Sequence, residues 1–201
     1  MRGTGAALLL LMMACSRSPA EPSGPAPAAG SASGSASASA PGSASASDSN
    51  LALVWDDPPR WQRHKPSTSM RAAEWLIPRA PGDSDDAECF AITFGAGKGG
   101  SVDDNVDRWV KQFDPQTSPP ARTTRTVHGM NVTRVEVAGT YKAMQMPGAP
   151  PTSPHSSWRL LGAIIEAPSG TWFFKLTGPD ATVKAATKEM DAFVDSMRPR
   201  G

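Results

Sequence analysis

From Leu51 onward, short apolar or alternating runs predominate, and only two stretches break into helical spacing. Leu51 to Trp55 predicts an edge strand, broken at Pro58-Pro59. Ala72 to Ile77 predicts a strand closed by Pro78. Glu88 to Phe94 is a largely apolar run, which predicts a strand buried on both faces. Arg122 to Val127 and Asn131 to Thr140 predict a hairpin turning at His128-Gly129-Met130. In its second arm Val135 and Val137 face one way and Arg134 and Glu136 the other, the period of an extended chain. Trp158 to Ala167 and Thr171 to Thr177 flank Pro168-Ser169-Gly170 and predict a second hairpin. Met144 to Ser157, rich in proline, predicts a long loop.

The two helical stretches are distinct. Val102, Val106, Trp109, Val110 and Phe113 form one apolar stripe and predict a helix over 102–113. Ser101 is its N-cap residue, and Asp103, Asp104 and Asp107 suit the positive end of its dipole. Pro115 ends it. Near the C-terminus, Val183, Ala186, Met190, Phe193, Val194 and Met197 predict a helix from about Pro179 to Met197. Mostly hairpin-linked strands with few helices predict an α+β domain, an antiparallel sheet with two main helices packed on it.

Before Leu51 the pattern changes. Ala6 to Met13 is an apolar run of about eight residues, where a membrane-spanning helix needs about 20. Arg2 precedes it, and Ala14-Cys15 closes it. Ser16 to Asn50 is almost entirely Ser, Ala, Gly and Pro, with nothing to bury against the entropy of ordering. A flexible chain of that length spans about 30–35 Å. The boundaries are therefore a leader over 1–14, Cys15 with a tether over 15–50, and one folded domain over 51–201. The leader, with Leu11-Met12-Met13-Ala14-Cys15, resembles a bacterial lipoprotein signal peptide. Met12 stands where that family usually has leucine. The resemblance implies acylation of Cys15, an extracytoplasmic address and a bilayer as partner. Ser16, rather than aspartate, after the cysteine resembles lipoproteins sorted to an outer membrane.

Charge narrows the partners. The chain has 20 basic and 19 acidic side chains and no basic stripe with interleaved aromatics, which argues against nucleic acid. With Cys15 lipidated, Cys89 is left alone, so no intrachain disulfide is expected. Separately, the chain is expected to be a monomer. Cys89 sits in a strand-like run and reads as a small buried hydrophobe rather than a nucleophile.

Candidate chemistry is sparse. Gly95 to Ser101 lies between a predicted strand and helix and carries Lys98. Backbone N–H groups at such a junction can cradle an anion, with Gly97, Lys98, Gly99, Gly100 and Ser101 as contacts. The loop does not match the phosphate-binding Gly-x4-Gly-Lys-Ser/Thr pattern, and its Gly-x-Gly-x-x-Gly letters lack the parallel context. The other reading, a tight crossover at positive φ, is favoured. His64, His128 and His155 have no metal-ligand spacing, and Asp83, Asp85 and Asp86 read as a solvated turn; no cofactor is expected. Trp109 and Trp172 read as core, whereas Trp55, Trp61 and Trp158 lie near prolines and could line a groove, with plain core packing the favoured reading.

The strings Phe94-Gly-Ala-Gly-Lys-Gly-Gly-Ser-Val102, Arg108-Trp109, Gln112-Phe113, Gly139-Thr140-Tyr141, Gly162-Ala-Ile-Ile-Glu166 and Gly178-Pro179 resemble a family of uncharacterised bacterial lipoproteins. The terminal strand-Gly-Pro-helix ending in Phe193-Val194 and Ser196-Met197 is similar to Mog1/PsbP-like domains. That likeness implies an antiparallel sheet between helices and a binding or assembly role rather than catalysis. The expectation is a membrane-anchored cell-envelope module. Its partner, an envelope protein, would be met at a loop-rich end around Gly95 to Ser101 and Met144 to Trp158. The alternative is an extracytoplasmic ligand-binding protein or hydrolase using a pocket at the Gly95–Ser101 loop.

Overall fold

A computed structural model describes residues 51–143 and 152–200. Cys15, the predicted leader and tether, and residues 144–151 of the predicted loop lie outside the described residues. In chain order the elements are β1 (Leu53–Val54), β2 (Gln62–His64), β3 (Arg71–Ile77), β4 (Ala87–Thr93), α1 (Val102–Val110), β5 (Phe113–Gln116) and β6 (Ala121–Val127). There follow β7 (Met130–Tyr141), β8 (His155–Ala167), β9 (Gly170–Pro179), α2 (Asp180–Ala185), α3 (Thr187–Asp195) and β10 (Arg198–Pro199).

One antiparallel sheet runs β2-β3-β4-β9-β8-β7-β5, with β6 also paired to β7, and β1 and β10 form a separate ribbon. The β8–β9 hairpin turns where Pro168-Ser169-Gly170 predicts it, with Ala167 opposite Gly170 and Trp158 opposite Pro179. Both hairpin strands are buried on both faces, Leu160 to Ile165 and Trp172 to Pro179 throughout.

The sheet therefore has two cores. One face carries Trp75, Cys89, Leu161, Ile165, Phe174 and Leu176 against Phe193, Met190 and Val183 of the C-terminal helices. Trp55 and Trp61 are part of this layer rather than lining a groove. Trp61 is buried, and the Trp55 ring packs edge-on to Trp75, Trp172, Phe174 and Phe193 at 5.4–6.2 Å. The other face carries Val135, Val137, Leu160, Ile164 and Phe173 against Val106, Trp109 and Phe113.

The helices depart from the sequence reading in two places. The single helix expected over 179–197 is two, α2 and α3, joined at Ala186 with φ −84° and ψ −2°. Thr187 at the junction donates its hydroxyl to the Val183 carbonyl at 3.3 Å, a back-bond of the kind that bends helices. The sheet thus carries three helices rather than two main ones. The first helix stops at Val110, and Phe113 opens β5, since the buried ring is claimed by Tyr141 across the β5–β7 ladder.

The run at β4 is not buried on both faces. Ala87, Cys89 and Ala91 are buried, while Glu88, Phe90 and Ile92 are only half-buried. The cause is reach: α1 packs over the β7–β8 part of its face, through Val135, Val137 and Leu160, and leaves the β3–β4 part uncovered by helix.

Candidate functional site

The uncovered part of the second face is built by strand alternation. The register sets Glu88 beside Thr177, Phe90 beside Lys175 and Ile92 beside Phe173, and on the other flank Leu76 beside Glu88 and Glu74 beside Phe90. All of these side chains project to one face. Leu76, Phe90 and Ile92 are half-buried and form an apolar stripe flanked by charge.

Lys175 is the unusual member. It is a lysine in the middle of an apolar strand, buried at 6% exposure. Lysines are almost never fully buried without a partner of opposite charge. Here Nζ donates to Gln112 Oε1 at 2.5 Å and to the Tyr141 hydroxyl at 3.4 Å, and it lies 5.1 Å from the centre of the Tyr141 ring. Both hydrogen-bond partners are neutral. Burial pushes the ammonium down to about 8 from 10.5; Glu88 raises it and Arg71 lowers it further. Tyr141 is pushed upward, by burial first and by Glu88 second.

Two features adjoin it. Thr177 lies two residues along the same strand and face, and its buried hydroxyl has no hydrogen-bond partner. Trp158 stacks on Tyr141 with ring centres 5.4 Å apart and an angle of 4°, and His155 stacks on Trp158 at 4.1 Å. The aromatic wall and the ammonium are thus joined through Tyr141.

On the opposite side the charge is closed. Arg71 pairs with Glu88 at 2.6 Å and Glu74 at 2.9 Å, and its guanidinium lies 4.2 Å over the Phe90 ring. Glu74 also accepts from the Ser67 backbone N–H at 2.9 Å and the Ser67 hydroxyl at 3.0 Å, with His64 Nε2 at 3.7 Å. Burial pushes the Glu74 carboxyl up; bonds from Ser67 and the Arg71 guanidinium outweigh that and hold it at about 2. This clip fixes the connection between β2 and β3. An open cleft of about 720 Å³ lies against that connection, lined by Arg63, His64, Lys65, Ser67 and Arg71 among others.

The residues singled out in the sequence divide. Ser101 caps α1, accepting from the Asp104 N–H at 3.0 Å. Gly95, Gly97, Gly99 and Gly100 have φ of 77°, 69°, 98° and 82°, the region that disfavours any side chain. Asn105 Nδ2 closes the loop by donating to the Gly99 and Ser101 carbonyls, each at 2.8 Å. Lys98 is exposed. Those features describe a strand-to-helix crossover held by its own bonds. Trp158 is not beside it. The loop adjoins the Gly170 end of the β8–β9 hairpin, where Gly95 lies against Gly170, whereas Trp158 pairs with Pro179 at the other end. The separation is nine residues of strand along β8, about 30 Å.

Sequence reasoning leaves Lys175 for solvent, which its burial within β9 corrects, and passes over Tyr141 as a site residue. One signal was present: a lysine inside the run Trp172-Phe-Phe-Lys-Leu176 interrupts an otherwise apolar strand. Cys89 is fully buried, as expected of a packing thiol, and desolvation pushes it well above its usual range. Among the described residues no cluster of His, Cys, Asp and Glu could hold a metal ion, and no helix is long and apolar enough to cross a membrane.

No family model matches the chain, and no curated protein matches it. Among solved structures it is similar to a Pseudomonas aeruginosa protein of unknown function, at 12% identity and TM-score 0.44, over 71% of this chain and 99% of that one. It is similar to LpqN, involved in cell envelope biogenesis of Mycobacterium tuberculosis, at 11% identity and TM-score 0.48, over 74% and 83%. It is also similar to the cyanobacterial PsbP of Synechocystis, at 11% identity and TM-score 0.44, over 79% and 98%.

Proposed function

We propose that this protein is a lipid-anchored module of the cell envelope that binds its partner or ligand on the uncovered β3–β4–β9 face of its sheet. The address rests on the leader, Cys15 and the tether. The binding face rests on one observation: a helix covers only part of that face, leaving Leu76, Phe90 and Ile92 half-exposed around a buried lysine. Apolar surface beside fixed polar groups is the usual make-up of a recognition site. The Gly95–Ser101 loop is not used in this reading: Asn105 ties down its Gly99 and Ser101 carbonyls, and it lies at the Gly170 end of the β8–β9 hairpin.

Two experiments test it. Cys15→Ser is expected to move the full chain from the membrane fraction to the soluble one without changing its melting temperature; retention in the membrane counts against anchoring. For the face, a photo-crosslinker at Ile92 is expected to yield a discrete adduct in intact cells, and one at exposed Lys188 none. Equal labelling from both positions removes the face from consideration.

A further inference from the structure

We propose that the uncovered sheet face is a binding site for an apolar monocarboxylate, its carboxylate accepting hydrogen bonds from the Lys175 ammonium. The inference rests on the reading of that face as the binding face and names its ligand class.

Three observations carry it. The first is an ammonium held only by neutral hydrogen-bond partners. Lys175 is buried, and its hydrogen bonds go to Gln112 and Tyr141, neither of them an anion. No carboxylate among the described residues forms an ion pair with it; Glu88, its diagonal neighbour on β4, is committed to Arg71. The hydrogen bonds of this buried cation go to neutral groups, and Glu88, the carboxylate that acts on it, is shared with Arg71, so an incoming anion offsets part of the cost of its burial. The second is the Thr177 hydroxyl, buried on the same face with no partner, a further donor beside the same strand. The third is the surroundings. Leu76, Phe90 and Ile92 on one side and the Tyr141–Trp158 stack on the other offer apolar contact.

Charge selects the anion. Arg71 holds both carboxylates of the face, Glu74 and Glu88, which leaves Lys175 as the cation not in an ion pair. One carboxylate pairs with Lys175. A phosphate dianion would bring a second negative charge near Glu88, and no Arg fork is free to take it, because Arg71 is already shared by two carboxylates.

The test uses the full chain carrying Cys15→Ser, with decanoate, decanol and inorganic phosphate as probes, by calorimetry and by NMR of the lysine side-chain nitrogens. Decanoate is expected to bind roughly tenfold or more tighter than decanol, with phosphate not binding. Its addition should shift the Lys175 Nζ resonance. Lys175→Met should remove that preference while decanol affinity holds, and Thr177→Val should weaken decanoate binding by a smaller factor. The NMR shift reads the wild-type chain, so the outcome stands even if a variant misfolds. Equal affinity for decanoate and decanol, both lost in Ile92→Glu, overturns the carboxylate assignment and leaves the face as the binding face. Tighter binding of phosphate overturns it as well. No binding of any probe overturns the ligand class, and the crosslinking at Ile92 then decides the face separately.

Discussion

The indole of Trp109 occupies the space that a side chain on Gly162 would need. A Cβ built on Gly162 meets the Trp109 six-membered ring first. The contact joins the middle of β8 to the last turn of α1. Gly162→Ala is expected to destabilise the fold by about 1–3 kcal/mol, through displacement of the ring. Urea unfolding checks it, and a loss below about 0.5 kcal/mol would mean that α1 shifts freely.

Trp109→Ala tests the same contact from the other side. The indole is 7% exposed and lies in the core beneath α1. Its removal should destabilise by about 3–5 kcal/mol. Near-equal stability of the variant would put the ring at the surface.

Glu74 sets the acid limb of stability. Its carboxyl is held at about 2 in the folded protein against 4.5 ordinarily. A depressed carboxyl stabilises above its unfolded value, and that contribution fades as pH falls from about 4.5 toward about 2. Glu74→Gln should flatten the difference across that window in denaturant titrations at successive pH values. An unchanged acid limb would contradict the clip made by Ser67 and Arg71.

Lys175 acts on the alkaline side. Its folded value near 8 lies below 10.5, so the unfolded chain binds more protons between the two, and stability rises with pH across that window. Cys89 and Tyr141, both raised in the fold, oppose this at the upper end. The comparison of wild type with Lys175→Met isolates the lysine. The gap should favour the Met variant at pH 7 and close by about pH 10. A gap independent of pH would mean that the lysine is not desolvated.

Cys89 gives a direct probe of opening. Its side chain is fully buried among Trp75 and Leu176. In the Cys15→Ser chain a thiol reagent should report no reactive group until urea unfolds the protein, and one afterwards. Rapid labelling of the native chain would contradict the packing.

What the sequence determined was local. Alternation placed Val135 opposite Arg134 in face, Pro168-Ser169-Gly170 made the β8–β9 turn, and Ser101 capped its helix, because each of these depends on neighbours within a few residues. Tertiary structure decided the rest. Whether β4 was buried on one face or two depended on where α1 stops covering the sheet, and Trp55 and Trp61 became core because β1 and the following turn fold across β3 and α3. Lys175, Tyr141 and Gln112 meet from three separate elements or their ends. No spacing along the chain encodes that meeting, since the contact exists only once the β7–β8–β9 register and the end of α1 have been set together.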